Sequence, residues 1–117
     1  LKVGIIGFMA TWWIGFSFSI VYAFMSLFLD VNKVLSVSVK AIFIHLLITL
    51  LFGIIGFTYA SLFLQPEEID WNIPHATLNI QSFINVGTMH NFGYLGGFLG
   101  IVFGIYYQLR FSKKYIY

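Results

Sequence analysis

Residues 92–109, FGYLGGFLGIVFGIYYQL, decide how the whole chain is read. These eighteen residues carry no formal charge and five glycines. Gly93, Gly97, Gly100 and Gly104 recur at intervals of four, three and four, which on an α-helix places them along one face. A charge-free stretch of this length is long enough to cross a bilayer. Lipid tails are as apolar as any side chain, so helices in a membrane gain little by hiding from them. They associate instead through close backbone contact, which a glycine face permits. The stretch therefore predicts a transmembrane helix that packs on a neighbour through its glycines.

Composition extends this reading outward. The chain has 117 residues, 60% hydrophobic and 9% charged, with a mean hydropathy of +0.92. Soluble domains carry about 25% charged residues, so this chain lies outside that class. The net charge of +2 is small and scattered, and no basic stripe suits a nucleic acid. Cysteine is absent, which excludes disulfides, thiolate metal sites and catalytic thiols together. The length predicts a single transmembrane helical domain over 1–117.

Two further apolar runs complete the bundle. Residues 3–29 hold no charge; as one helix they would measure about 40 Å against a hydrocarbon core of about 30 Å. Trp12 and Trp13 prefer the membrane interface, so the first turns are expected to stand outside the lipid. Thr11, Gly15, Ser19, Tyr22 and Ser26 form a small and polar face that should meet protein. Residues 30–40, DVNKVLSVSVK, read as a loop. Residues 41–64 form the second span, with His45, Thr49, Gly53 and Gly56 on one face. Pro66 ends it. The polar stretch 65–85 carries Glu67, Glu68 and Asp70, and its Trp71 and Ile73 suit the membrane surface. Residues 75–85 can already be helical, with Leu78, Ile80, Phe83 and Ile84 as apolar contacts, and the third span, which begins between Phe83 and Phe92, is placed at 86–109. The expectation is an all-α integral membrane bundle with transmembrane helices at about 3–29, 41–64 and 86–109. Its packing contacts should come from Gly93, Gly97, Gly100, Gly104, Gly15, Ser19, His45, Thr49 and Gly53.

Lysine and arginine set the orientation. Three spans place the chain start and the 65–85 loop on one side, and the 30–40 loop and the tail on the other. Only Lys2 lies on the first side; Lys33, Lys40, Arg110, Lys113 and Lys114 lie on the second. The positive-inside rule puts the C-terminus in the cytoplasm and 65–85 outside. An outside start fits a fourth span upstream of Leu1.

The chemistry-bearing residues are few. No Asp, Glu, Lys or Arg falls inside an expected span, and there is no Ser–His–Asp order, phosphate loop or HExxH, so no reaction is assigned and no cofactor is expected. His45 and His90 sit about 20 Å apart or more along the membrane normal, too far to clasp one haem. His45 with Thr49 reads first as a hydrogen-bonded packing pair. His90, Asn91 and Tyr94 cluster at the outer mouth of the glycine helix. There they either anchor a neighbouring helix or, with Trp12, form a site for a lipid headgroup, a quinone or a metal. His75, His90 and Asp70 offer nitrogen and oxygen ligands on the same side, at a spacing that matches no metal motif.

Two blocks, Thr11-Trp12-Trp13-x-Gly15 and Met89-His90-Asn91-x-x-Tyr94-Leu95-Gly96-Gly97, resemble an uncharacterised group of small bacterial multi-pass membrane proteins. The resemblance covers about fourteen residues. It implies a bacterial inner-membrane protein whose relatives carry a further hydrophobic segment upstream, and it implies no activity.

Three functions remain open from sequence. The first is a non-enzymatic structural or interaction subunit that meets the lipid bilayer, other membrane subunits or a second copy of itself. The second is a redox or lipid-handling accessory with a small-molecule site at the outer face. The third is an oligomeric channel or transporter component.

Overall fold

The computed structural model describes residues 2–111; within the first helix, the side chains of 2–4, 6–8, 10 and 11 are not described. Three α-helices follow one another: α1, Lys2–Ser26; α2, Val34–Phe63; and α3, Ile80–Arg110. A 3-10 turn, Pro66–Glu68, lies between α2 and α3. There is no strand among the described residues. Lys113 and Lys114, on which the expected orientation partly turns, lie outside the described residues.

Each helix boundary has a local cause. After Ser26 the chain tightens into i→i+3 bonds: Leu27 N–H to Phe24 C=O at 3.2 Å, Phe28 to Met25 at 3.2 Å and Leu29 to Ser26 at 3.1 Å. Such bonds close off a helix end whose carbonyls have no α-helical partner. The expected run to residue 29 is thus three residues too long.

The expected loop at 30–40 is mostly helix. The Asp30 side chain accepts the Asn32 N–H at 3.0 Å, and its carbonyl accepts the N–H groups of Lys33 and Val34 at 2.8 and 3.0 Å. This turn launches α2 at Val34. The alternation of valine and serine hides a helical spacing, in which Val34, Val37, Ser38 and Ala41 share a face. Val37 and Ala41 are buried.

The start of α3 also falls earlier than the expected residue 86. Asn79 caps it: the Asn79 side-chain oxygen accepts the Ser82 N–H at 2.9 Å, the usual reach of an N-cap to the third helical residue.

Cα proximity groups the chain into two compact units, Leu1–Phe43 with Phe103–Tyr117, and Ile44–Val102. In the second unit α2 and α3 pair antiparallel. His45 faces Gly100, Thr49 and Phe52 face Gly96, Met89 faces Gly53, and Phe92 and Thr88 face Gly56. A Cβ added at Gly96 would lie 2.5 Å from Phe52 Cβ, and one at Gly56 equally close to Phe92 Cβ. Glycine in a helix interior costs up to about 1 kcal/mol relative to alanine; here close backbone approach on both helices offsets it. The fully buried Ile84 and Ala60 fill the seam, and Tyr59 stacks on Phe92 with ring centroids 6.0 Å apart. At its far end Gln81 Nε2 donates to the carbonyls of Ala60 and Leu64 at 3.4 and 3.2 Å and to Asn85 Oδ1 at 3.0 Å.

In the first unit Gly104 faces the hydroxyl end of Tyr22, and a Cβ there would stand 2.9 Å from Tyr22 Cζ. Tyr22, Leu29, Val37, Ala41 and Gln108 are buried. Gln108 Nε2 donates to Ser38 Oγ at 3.2 Å.

Among the described residues two helices, α2 and α3, are long and apolar enough to cross a membrane. Their most apolar windows have mean hydropathies of 2.4 and 1.3, yet only 17% and 33% of those windows is buried within the protein. A core helix of a soluble protein would be largely covered. These helices instead turn most of their apolar residues outward.

Candidate functional site

The described residues that could meet a ligand gather around the polar loop and the first half of α3. The Trp71 indole, carried by the loop, sits over Gly87 of α3; a Cβ at Gly87 would come 2.6 Å from Trp71 Cζ3. Glycine is what admits the ring at this height. Phe83, one turn earlier, meets the indole edge-on at 6.5 Å and 78°. Locally the loop is held by a bond from the Ile73 N–H to the Trp71 carbonyl at 2.9 Å.

Beside this aromatic pair runs an open groove of about 420 Å³, lined by Trp71 from the loop and by Phe83, Val86, Gly87, Met89, His90 and Asn91 of α3. It contains no lysine, arginine or carboxylate. His90 Nε2 lies 2.6 Å from the Tyr94 hydroxyl, and the two rings meet edge to face at 4.4 Å. That contact fixes the imidazole on the helix surface and engages one of its nitrogens. The Asn91 amide has no hydrogen-bond partner among the described residues.

Of the expected site residues, His90 and Asn91 line the groove, and Tyr94 reaches it through His90. Trp12 does not line it; its indole stands exposed on α1, 6.4 Å from the Phe16 ring. The indole that forms the wall is Trp71, which the sequence reading placed on the membrane surface. The proposed ligand set of His75, His90 and Asp70 does not assemble. Among the described residues no three His, Cys, Asp or Glu side chains come together as a metal site, and His90 is instead turned to Tyr94.

The packing residues divide. His45 is buried, its Cδ2 2.6 Å from a Cβ built at Gly100. Thr49 does not pair with the His45 ring: its hydroxyl donates to the His45 carbonyl at 2.9 Å, one turn back in the same helix. A Cβ added at Gly53 would stand 3.7 Å from Met89 Cγ, an ordinary van der Waals distance. Gly97 is buried. At Gly15 and Gly93 an added Cβ meets nothing within 4 Å, so the contacting row on α3 includes Gly96, which the four-three-four spacing passes over. Ser19 is exposed, and its hydroxyl donates to Phe16 C=O at 2.7 Å.

The same habit recurs along the helices. Ser17, Ser26, Thr58 and Ser61 each donate to a carbonyl three or four residues earlier in their own helix. Among the described residues two buried atoms differ: Thr88 Oγ1 and Gln108 Oε1 have no hydrogen-bond partner there. No family model, curated protein or solved structure matches this chain.

Proposed function

We propose that this chain is a small multi-pass integral membrane protein of the bacterial inner membrane, with α1, α2 and α3 all spanning. It serves as a non-enzymatic structural or interaction subunit rather than as a catalyst. The observation that carries the reading is the combination of high hydropathy and low burial in α2 and α3. Apolar surface of that extent needs a covering, and lipid is the covering that asks nothing more of it. The exposed serines and threonines agree. Inside hydrocarbon a hydroxyl must find its partner within the helix, and these donate to their own backbone.

The orientation proposed is a cytoplasmic C-terminus with the acidic 65–85 loop outside, from the lysine and arginine asymmetry. The absence of cysteine makes the test direct. Single substitutions Glu67→Cys and Lys33→Cys are placed in the otherwise cysteine-free chain and treated with a membrane-impermeant maleimide. Glu67→Cys should label in intact spheroplasts, and Lys33→Cys only after permeabilisation. The reverse pattern inverts the topology. Release of the chain into the supernatant by alkaline carbonate would remove the membrane reading itself.

A further inference from the structure

We propose that the groove between Trp71 and α3 holds the head of a neutral, ring-sized carbonyl amphiphile of the quinone type. The inference goes beyond a structural role; it draws on the membrane reading only in that the bilayer would supply the ligand.

Charge excludes most alternatives. A phosphate head would call for Lys or Arg and a cation for carboxylates, and neither lines the groove. What the groove offers is a mostly aromatic and aliphatic lining with two neutral hydrogen-bonding side chains, His90 and Asn91. Its volume of about 420 Å³ falls in the range of small-molecule sites, which pair a mostly apolar lining with a few placed polar groups.

The polar groups are of one kind. A phenol O–H is a better donor than an imidazole N–H, so we take the Tyr94 hydroxyl to donate a hydrogen bond to His90 Nε2 across the 2.6 Å contact. With Nε2 accepting, the ring proton of the imidazole sits on Nδ1. Among the described residues no other hydrogen bond engages the His90 side chain, and none engages the Asn91 side chain. The imidazole Nδ1–H and the Asn91 amide N–H therefore stand as donors within one turn of helix. An uncharged carbonyl oxygen satisfies them without bringing a charge into the membrane border.

The aromatic wall is built rather than incidental. Gly87 lets the Trp71 ring sit on the helix where any side chain would displace it, and Phe83 supports it edge-on. A flat ring bound beside an indole is held by the same stacking forces that pair aromatic side chains. The apolar tail would then lie along the exposed face of α3.

The test uses the full chain in phosphatidylcholine nanodiscs. The chain has three tryptophans, so Trp12→Phe with Trp13→Phe leaves Trp71 as the sole indole emitter. A short-tailed benzoquinone is titrated and Trp71 emission followed. Saturable quenching is expected, and His90→Leu and Asn91→Leu should each raise the apparent Kd about tenfold, the loss of one hydrogen bond. Both side chains are exposed, so helicity and elution volume should be unchanged. His90→Gln, which keeps a donor, should bind more tightly than His90→Leu. A saturated alcohol with the same tail should not displace the quinone. Quenching that rises without saturation and equally in all variants would overturn the proposal, as would full displacement by the alcohol. Neither result would touch the membrane reading, which carbonate extraction tests separately.

Discussion

Gly100 and Gly93 sit two turns apart on α3 and face opposite consequences. A Cβ at Gly100 would lie 2.6 Å from His45 Cδ2, 2.8 Å from its carbonyl oxygen and 3.2 Å from its Cα. Backbone cannot swing aside as a long side chain can. Gly100→Leu should therefore force α2 and α3 apart, at a cost of about 3 kcal/mol, the upper range for overpacking. The loss should appear as lower thermal stability in detergent, with the elution volume of the folded species increased. At Gly93 the space is open, so Gly93→Ala removes only the flexibility of glycine in the unfolded chain. It should stabilise by about 0.5–1 kcal/mol. Equal melting temperatures for the two variants would show that the seam is not where these contacts place it. Spacing on the page cannot separate the two residues, because both belong to the same four-three-four pattern. Only the partner helix, whose Phe52 and Thr49 choose Gly96 over Gly93, makes the distinction.

At the scale of the element, Gln81 joins two helix ends. Gln81 donates to the Leu64 carbonyl, just past the end of α2 where no helical N–H follows, and shares the Ala60 carbonyl with the Leu64 N–H. Gln81→Leu keeps the bulk and removes the donor. It should cost about 1–2 kcal/mol, the range for leaving hydrogen-bond partners unmet, and should speed amide exchange at residues 58–64 while leaving the His45 end of the seam protected. Uniform exchange along α2 in the variant would argue against a capping role. This bond was not legible in the sequence, since it joins residues 17 and 21 positions apart. The helix bodies were legible, because charge-free apolar runs of this length admit few alternatives. Their starts were not. The Val–Ser alternation after Asp30 imitates a strand period while also fitting a helix face. Asn79 caps α3 from within a polar stretch whose composition gives no reason to choose it over its neighbours.

For the whole molecule the question is what covers the outward apolar surface. Of the candidate site, His90 and Asn91 were legible as a polar pair at the end of an apolar run. Trp71 was not legible as their wall, because a loop indole and Gly87 are brought together by the fold of the loop and by no local pattern. The outward surface, by contrast, follows from composition and from the helices alike, and it admits a decisive substitution. Leu50 lies near the middle of α2 and is 61% exposed. If water covered it, Leu50→Arg would be an ordinary surface change within about 0.5 kcal/mol. If lipid covers it, an arginine at the centre of a spanning helix costs about 2.5–3.5 kcal/mol on insertion scales. Lys33→Arg, at the loop before α2, keeps its charge and serves as the control. Leu50→Arg should reduce the carbonate-resistant fraction and the melting temperature in nanodiscs, whereas Lys33→Arg should change neither. Were Leu50→Arg to insert and melt like the parent chain, the exposed face of α2 would not be a lipid face, and the covering would have to be sought in a protein partner.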